Sequence, residues 1–460
     1  MIYWINQNKY LLAVLYALAA VALSSVFNQD AFMLLNIAIT GAAATYVFLK
    51  NSFLLLITTV LLAIFNEGIT QFNVTYIIFY LYALMAASII MSKEKNKIHT
   101  AIFIAVTLSL ILGMIPAIIN GTSVPLLITS VLKRYGFFIV FLFALNIADL
   151  NRNYRKILDG SLIFILLINF AAAFLQFLQG ETTQDVITGL MGSGTTGIFI
   201  YLLMYYFAII SGLHYQKKIT TFLYLALAMV PIVYSAVAEV KIGFVSSAVI
   251  LIVYLVFIRR GFKAFSVLLV MSFMLSWFYS YFVSLYPEHD FLNEDFLKNY
   301  LVESSYGEEN TLNRFGFKPT VDALVFSNSP NDMLFGKGLG SGNPSDTQIL
   351  QGEVYKKYDF LKYSWFLMPY LYIETGSLGL LVYFAIYLIP LFIALRHFMA
   401  AGSSLAMVVL LMGMMNVLFV PYNTGLLTYG ITTVYWIYTA MLLQEIHQGP
   451  PSKKSDKPTV

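Results

Sequence analysis

Several groups of residues in this chain have types and spacings that could do chemistry. Glu239 and Lys241 stand two apart between two apolar runs, with almost no loop to hold them. Charge in or near a bilayer is costly and by default marks function, here Lys241 turned into a cavity between helices; mutual neutralisation on a tight turn is the alternative. Lys133 and Arg134 sit before an apolar run, either snorkelling from its end or forming an anion clamp. Arg314 is the sole arginine of a long polar segment. A guanidinium grips phosphate bidentately where an ammonium cannot, although an isolated loop arginine can equally be a surface residue. Glu374-Thr375-Gly376-Ser377-Leu378-Gly379 sets a carboxylate at the edge of an apolar run, as a helix cap or a chemical group, with glycines that allow close helix approach.

Two glycine-rich runs invite a phosphate-binding interpretation. Phe335-Gly336-Lys337-Gly338-Leu339-Gly340-Ser341-Gly342 lacks the GxxxxGK[ST] spacing and has no strand–helix unit around it. It reads as a tight backbone turn. Gly189 to Gly197 opens an apolar run, offering free N–H groups to an anion or merely starting a helix. Other chemistries drop out. Cys is absent and the five His (His99, His214, His289, His397, His447) are scattered, so thiolate chemistry is excluded and neither a metal nor another cofactor is expected. A net charge of +4 leaves no basic arm for nucleic acid.

The elements that must position these residues are apolar helices. Hydrophobic residues make up 59% and charged ones 11%, against roughly 45–50% and 25% in a soluble domain. An integral membrane protein is the expected class. A span needs roughly 20 apolar residues, and candidates fall near 10–27, 31–49, 52–66, 72–91, 99–118, 135–149, 157–178, 196–214, 220–237, 243–258, 264–286, 376–395, 403–420 and 425–444. The expected fold is therefore all-α and polytopic, with about 14 spans (about 12–14). With the N-terminus inside, the inner segments collect most of the 27 basic residues, and the short outer loops hold only Lys133, Arg134 and Lys241. That bias places both termini in the cytoplasm. Ala17-Leu18-Ala19 and Ala20-Val21-Ala22 look like cleavage sites, but the first apolar run outlasts a signal core of roughly 7–15 residues, so it reads as a retained anchor.

Residues 287–362 differ in kind: polar, more acidic than basic, and longer than ordinary loops. Their recurring apolar residues, as in Thr320 to Phe326, predict a small extracytoplasmic cap with short helices; a solvated tether is the alternative. The aromatic stretch Tyr363 to Tyr372 predicts an interfacial segment before a span that starts near Gly376. The expected organisation is a helical part over 1–286, the cap and interfacial segment over 287–375, closing spans over 376–445 and a disordered cytoplasmic tail over 446–460.

This order of many helices, one large outer segment late in the chain and a few closing helices resembles the Wzy-type O-antigen and capsular polysaccharide polymerases and their relatives, the O-antigen ligases. The residues that carry the resemblance are Arg314, the run Phe335 to Gly340, and the ExGxxG-like entry Glu374 to Gly379, in that order. Lys241 sits where many members carry Arg or Lys at the outer start of a span. Ligases share a His-Asn pair shortly before the glutamate, where this chain has Trp365, which favours a polymerase. The resemblance implies that glycan units carried on undecaprenyl pyrophosphate are joined at the outer face of the cytoplasmic membrane, without metal or nucleotide. Lipid-linked donor and acceptor, membrane lipid and a chain-length-regulating co-polymerase are the implied partners. Lys241, Arg314 and Arg134 would meet the pyrophosphate, with Glu239 beside them; Glu239, Asp359, His289 and Glu374 all remain open as general base. The rival functions are a ligase, a non-enzymatic scaffold and a lipid-linked oligosaccharide flippase, though a flippase usually has short loops and two similar halves.

Overall fold

A computed structural model describes residues 45–66, 74–92, 99–181, 186–258, 262–287, 298, 311–345 and 347–448. The expected span 10–27, most of 31–49, His289 and the tail from 449 lie outside the described residues.

Apart from an isolated bridge at Leu312, every regular element among the described residues is helical. Before the polar segment come α1 (Ser52–Ile64), α2 (Val74–Met91), α3 (Thr100–Ile119), α4 (Val124–Asn146), α5 (Arg155–Leu178), α6 (Thr196–Tyr215), α7 (Thr221–Val237), α8 (Lys241–Ile258) and α9 (Phe262–Leu285). The polar segment holds α10 (Phe317–Leu324), α11 (Pro330–Phe335) and α12 (Glu353–Tyr358), and the chain closes with α13 (Leu367–Ala401), α14 (Ser404–Phe419) and α15 (Tyr429–Gln448). Side-chain caps start several of them: Asn51 accepts from the Leu54 amide, Thr220 from Leu223 and Ser403 from Ala406.

Six of these helices are long and apolar enough to cross a membrane, and five more are apolar but shorter. The expectation of about 14 spans is corrected accordingly for the described residues. The expected spans 10–27 and 31–49 fall wholly or mostly outside the described residues; for two described helices a physical reason applies. The 13 residues of α1 rise only about 20 Å, short of a bilayer core of about 30 Å. Helix α15 has the length but not the apolarity, because it is an inner helix. Buried among α4, α14 and α1, it faces protein, so Thr432, Thr433, Thr439 and Gln444 cost little there. The Gln444 amide donates to the carbonyls of Ala144, Leu145 and Ile147 and so satisfies the open end of α4. Large apolar side chains such as Ile104, Phe164, Phe273, Leu381 and Phe392 stay exposed on the outer helices. Several long apolar helices with such a belt give the chain membrane-associated character.

Two boundaries differ in ways that matter for chemistry. Helix α4 starts at Val124 rather than near 135, so Lys133 and Arg134 lie within a helix instead of in an outer loop. The expected interfacial stretch runs from a short turn at Tyr363–Trp365 into the first part of α13, with Leu367, Leu371 and Tyr372 buried in protein and Trp365 half exposed. Aromatic residues suit a core and an interface equally. The apolar residues of the polar segment, among them Leu312, Phe317, Val321, Phe326 and Leu361, form their own small core against Tyr370, Tyr372 and Ile373 of α13.

Helix α13 is broken at Gly376, whose φ of 64° and ψ of −169° are non-helical. The break frees carbonyls, and the glycine run meets them: the Lys337 amide donates to the Ile373 carbonyl and the Gly338 amide to that of Glu374, both at 2.8 Å. On its other flank the Leu339 amide donates to the Gly113 carbonyl of α3 (2.9 Å). Only glycine readily adopts the Gly376 conformation, and a Cβ there would lie 2.3 Å from the Leu334 carbonyl. Gly376→Ala is therefore expected to lower stability by roughly 1–3 kcal/mol or more. Gly160→Ala, in open space on α5, should be neutral or stabilising. Thermal unfolding of both purified variants in detergent checks this; equal midpoints would refute it.

Candidate functional site

The turn between α7 and α8 builds the first half of the site. The Ala238 amide closes onto the Tyr234 carbonyl and the Val240 amide onto that of Ser235, with Glu239 between them at φ 56°. Glycine usually holds such a helix-ending position, so a glutamate carries backbone strain there. The turn folds both charged side chains inward: Lys241 Nζ lies 3.2 Å from Glu239 Oε1, and each residue is only 6% exposed. Close packing fixes this geometry, since a Cβ on Gly243 would lie 1.9 Å from Ser235 Oγ and 2.9 Å from Ile200 of α6. Tyr286, just past α9, donates its hydroxyl to the Val237 carbonyl (3.1 Å). Burial and the neighbouring Glu239 carboxylate push the Tyr286 phenol up.

Arg314 supplies the second half. It is 4% exposed and its guanidinium lies over the Phe366 ring (4.4 Å to the centroid) and near that of Tyr422 (5.6 Å). A planar, weakly hydrated cation suits such aromatic burial. Arg314 lies close enough to Lys241 for the two cations to feel each other's charge. Tyr422 belongs to the link between α14 and α15, and the start of α6 packs on it: a Cβ on Gly197 would meet the Asn423 amide at 2.6 Å and the Tyr422 ring at 3.9 Å.

Arg134 belongs to a neighbouring cluster. It forms a buried ion pair with Glu374 and stacks on Tyr370 (4.7 Å). Glu374 Oε1 also accepts from the Gly340 and Gly342 amides, both at 3.1 Å. Adjacent Lys133 reaches Asn343 Oδ1 at 3.3 Å. The two arginines thus stack on aromatic residues one helical turn apart, since the Tyr370 amide donates to the Phe366 carbonyl. The structure therefore pairs Lys241 with Glu239, puts Arg314 on Phe366 and Tyr422 within range of the Lys241 charge, holds Arg134 and Glu374 as a separate pair, and leaves Asp359 with Lys362 (3.1 Å) on a partly exposed face of the polar segment.

In the first glycine run the amides of Gly340 and Gly342 go to Glu374; at the start of the second, the Gly189 amide goes to Gln176 and that of Leu190 to Asn169. Among the described residues, no three His, Asp or Glu side chains cluster where they could hold a metal. Tyr422 and Tyr286 were not singled out in the sequence, and Phe366 and Tyr370 were read only as part of an interfacial stretch, because an aromatic residue in an aromatic-rich chain gives no local signal. Comparison with known proteins adds nothing to this geometry: no family model matches the chain, and no curated protein matches it as a relative.

Proposed function

We propose that the protein is a membrane glycosyltransferase that joins glycan repeat units carried on a polyprenyl pyrophosphate, undecaprenyl pyrophosphate in the bacterial case, at the outer face of the cytoplasmic membrane. What supports this reading is the burial of Lys241, Glu239 and Arg314, the first two in contact and Arg314 within range of the Lys241 charge. In the proposed reaction an acceptor hydroxyl attacks the anomeric carbon of the donor. The new C–O bond forms as the bond to pyrophosphate breaks, and its electron pair leaves with the lipid pyrophosphate. Lys241 and Arg314 meet the charge that develops there, and a preorganised donor of this kind contributes about 2.7–4 kcal/mol. The pyrophosphate draws Lys241 away from Glu239, whose freed carboxylate takes the hydroxyl proton.

Deleting the gene and resolving the surface glycan on a gel tests the function. Loss of the proposed activity leaves single repeats attached. Loss of all attached glycan would point to a ligase, and repeats stranded inside the cell to a flippase; either result rejects the proposal. Glu239 gives a sharper test of the site. Glu239→Gly removes the carboxylate and relieves the positive-φ strain but strands the buried Lys241 charge, so stability should fall by somewhat less than the about 3–5 kcal/mol of a broken buried pair, while polymer is lost from protein that still reaches the membrane. A variant that makes normal polymer would reduce Glu239 to a helix cap.

A further inference from the structure

Away from the buried cations, a cleft of about 770 Å³ opens between the α3–α4 link and the polar segment. That volume lies within the range of small-molecule sites, roughly 300–1,000 Å³, but the lining differs from theirs, which is mostly apolar. Asn120, Thr122 and Ser123 line it from the α3–α4 link, and Gln348, Gln351 and Tyr358 from the polar segment. Amides, hydroxyls and one aromatic ring are groups that bind sugar hydroxyls and a sugar face, and the aliphatic Leu126, Val325, Ile349 and Val354 that also line the cleft suit the apolar edges of a sugar. The charges point further. Lys337 is engaged by Asp332 at 2.6 Å, which leaves Lys356 and Lys357 at the rim with Glu353, the one carboxylate lining it among the described residues. Both lysines are exposed, and Lys357 lies 5.0 Å over the Tyr358 ring.

The floor of the cleft ties it to the site. Ser341 lines it, and the flanking amides of Gly340 and Gly342 hold Glu374. We infer that this cleft is a binding site for an acidic oligosaccharide, one bearing carboxylate or phosphate groups. If the proposed function holds, on which this last identification rests, that oligosaccharide is the growing chain, held while its end reacts beyond the glycine loop.

The test is direct binding to the full-length protein in nanodiscs, using short oligogalacturonate as the acidic probe and a malto-oligosaccharide of equal length as the neutral one. Wild type should prefer the acidic probe. Gln348→Trp, which fills the cleft from an exposed position, and the Lys356→Gln/Lys357→Gln pair should each weaken binding about tenfold or more, a factor worth about 1.4 kcal/mol. Added salt should weaken wild-type binding too, because rim charges are screened. Equal affinity for the two probes, or variants that bind like wild type, would overturn the inference. Binding does not require catalysis, so acidic-probe binding by a protein whose deletion leaves glycan length unchanged would sink the proposed function and leave the cleft standing.

Discussion

Arg314→Ala and Lys241→Ala are each expected to abolish long-chain glycan while the protein stays in the membrane. The two cations share the task of meeting a pyrophosphate that gains charge as it leaves. Removing one fixed donor from such a site typically costs about 10²–10³-fold in rate. The two are not interchangeable, and the structure suggests why. Arg314 is held flat over Phe366 and beside Tyr422, so Arg314→Lys keeps the charge but loses the stacked plane and the bidentate grip. It should fall between wild type and alanine. Lys241 instead sits in contact with Glu239, and its loss leaves that carboxylate buried beside fewer cations. The measurements are the surface-glycan ladder, an immunoblot of membrane fractions and chain extension by purified protein. Full-length ladders from both alanine variants would reject the site.

Much of the helical order was legible beforehand, because an apolar run with polar ends marks its own limits. The run at 196–214 became Thr196–Tyr215, and the one at 220–237 became Thr221–Val237. Failures arose where tertiary burial overrode composition. Arg134 sits inside α4 because Glu374 neutralises it there, a partner that no hydropathy window over 124–146 contains. The polar face of α15 is affordable only because its neighbours are protein. The site shows the same division. Glu239 and Lys241 were visible because one tight turn brings them together locally, and Arg314 because it is the only arginine in its segment. Their setting was not, since Phe366 and Tyr422 reach Arg314 across long stretches of chain.

The Arg134–Glu374 pair sets the largest expected effect on stability, and it separates a structural role for Glu374 from a chemical one. The pair is nearly sealed from solvent, with side chains 3% and 0% exposed. Removing one partner of a buried ion pair strands the other charge and typically costs about 3–5 kcal/mol. Arg134→Ala should therefore unfold well below wild type in a detergent melt, and Glu374→Ala should do worse, because it also orphans the Gly340 and Gly342 amides and with them the loop that seals the break in α13. Glu374→Gln keeps an oxygen for those amides but leaves Arg134 charged and alone. Arg134→Met/Glu374→Gln removes both charges and keeps the acceptor, so it should recover most of the loss. If Glu374 is structural, glycan length in these variants will track stability, and the double variant will make polymer. If Glu374 is the general base, the double variant will melt near wild type and make none, which would move the proton transfer from Glu239 to the neighbouring cluster.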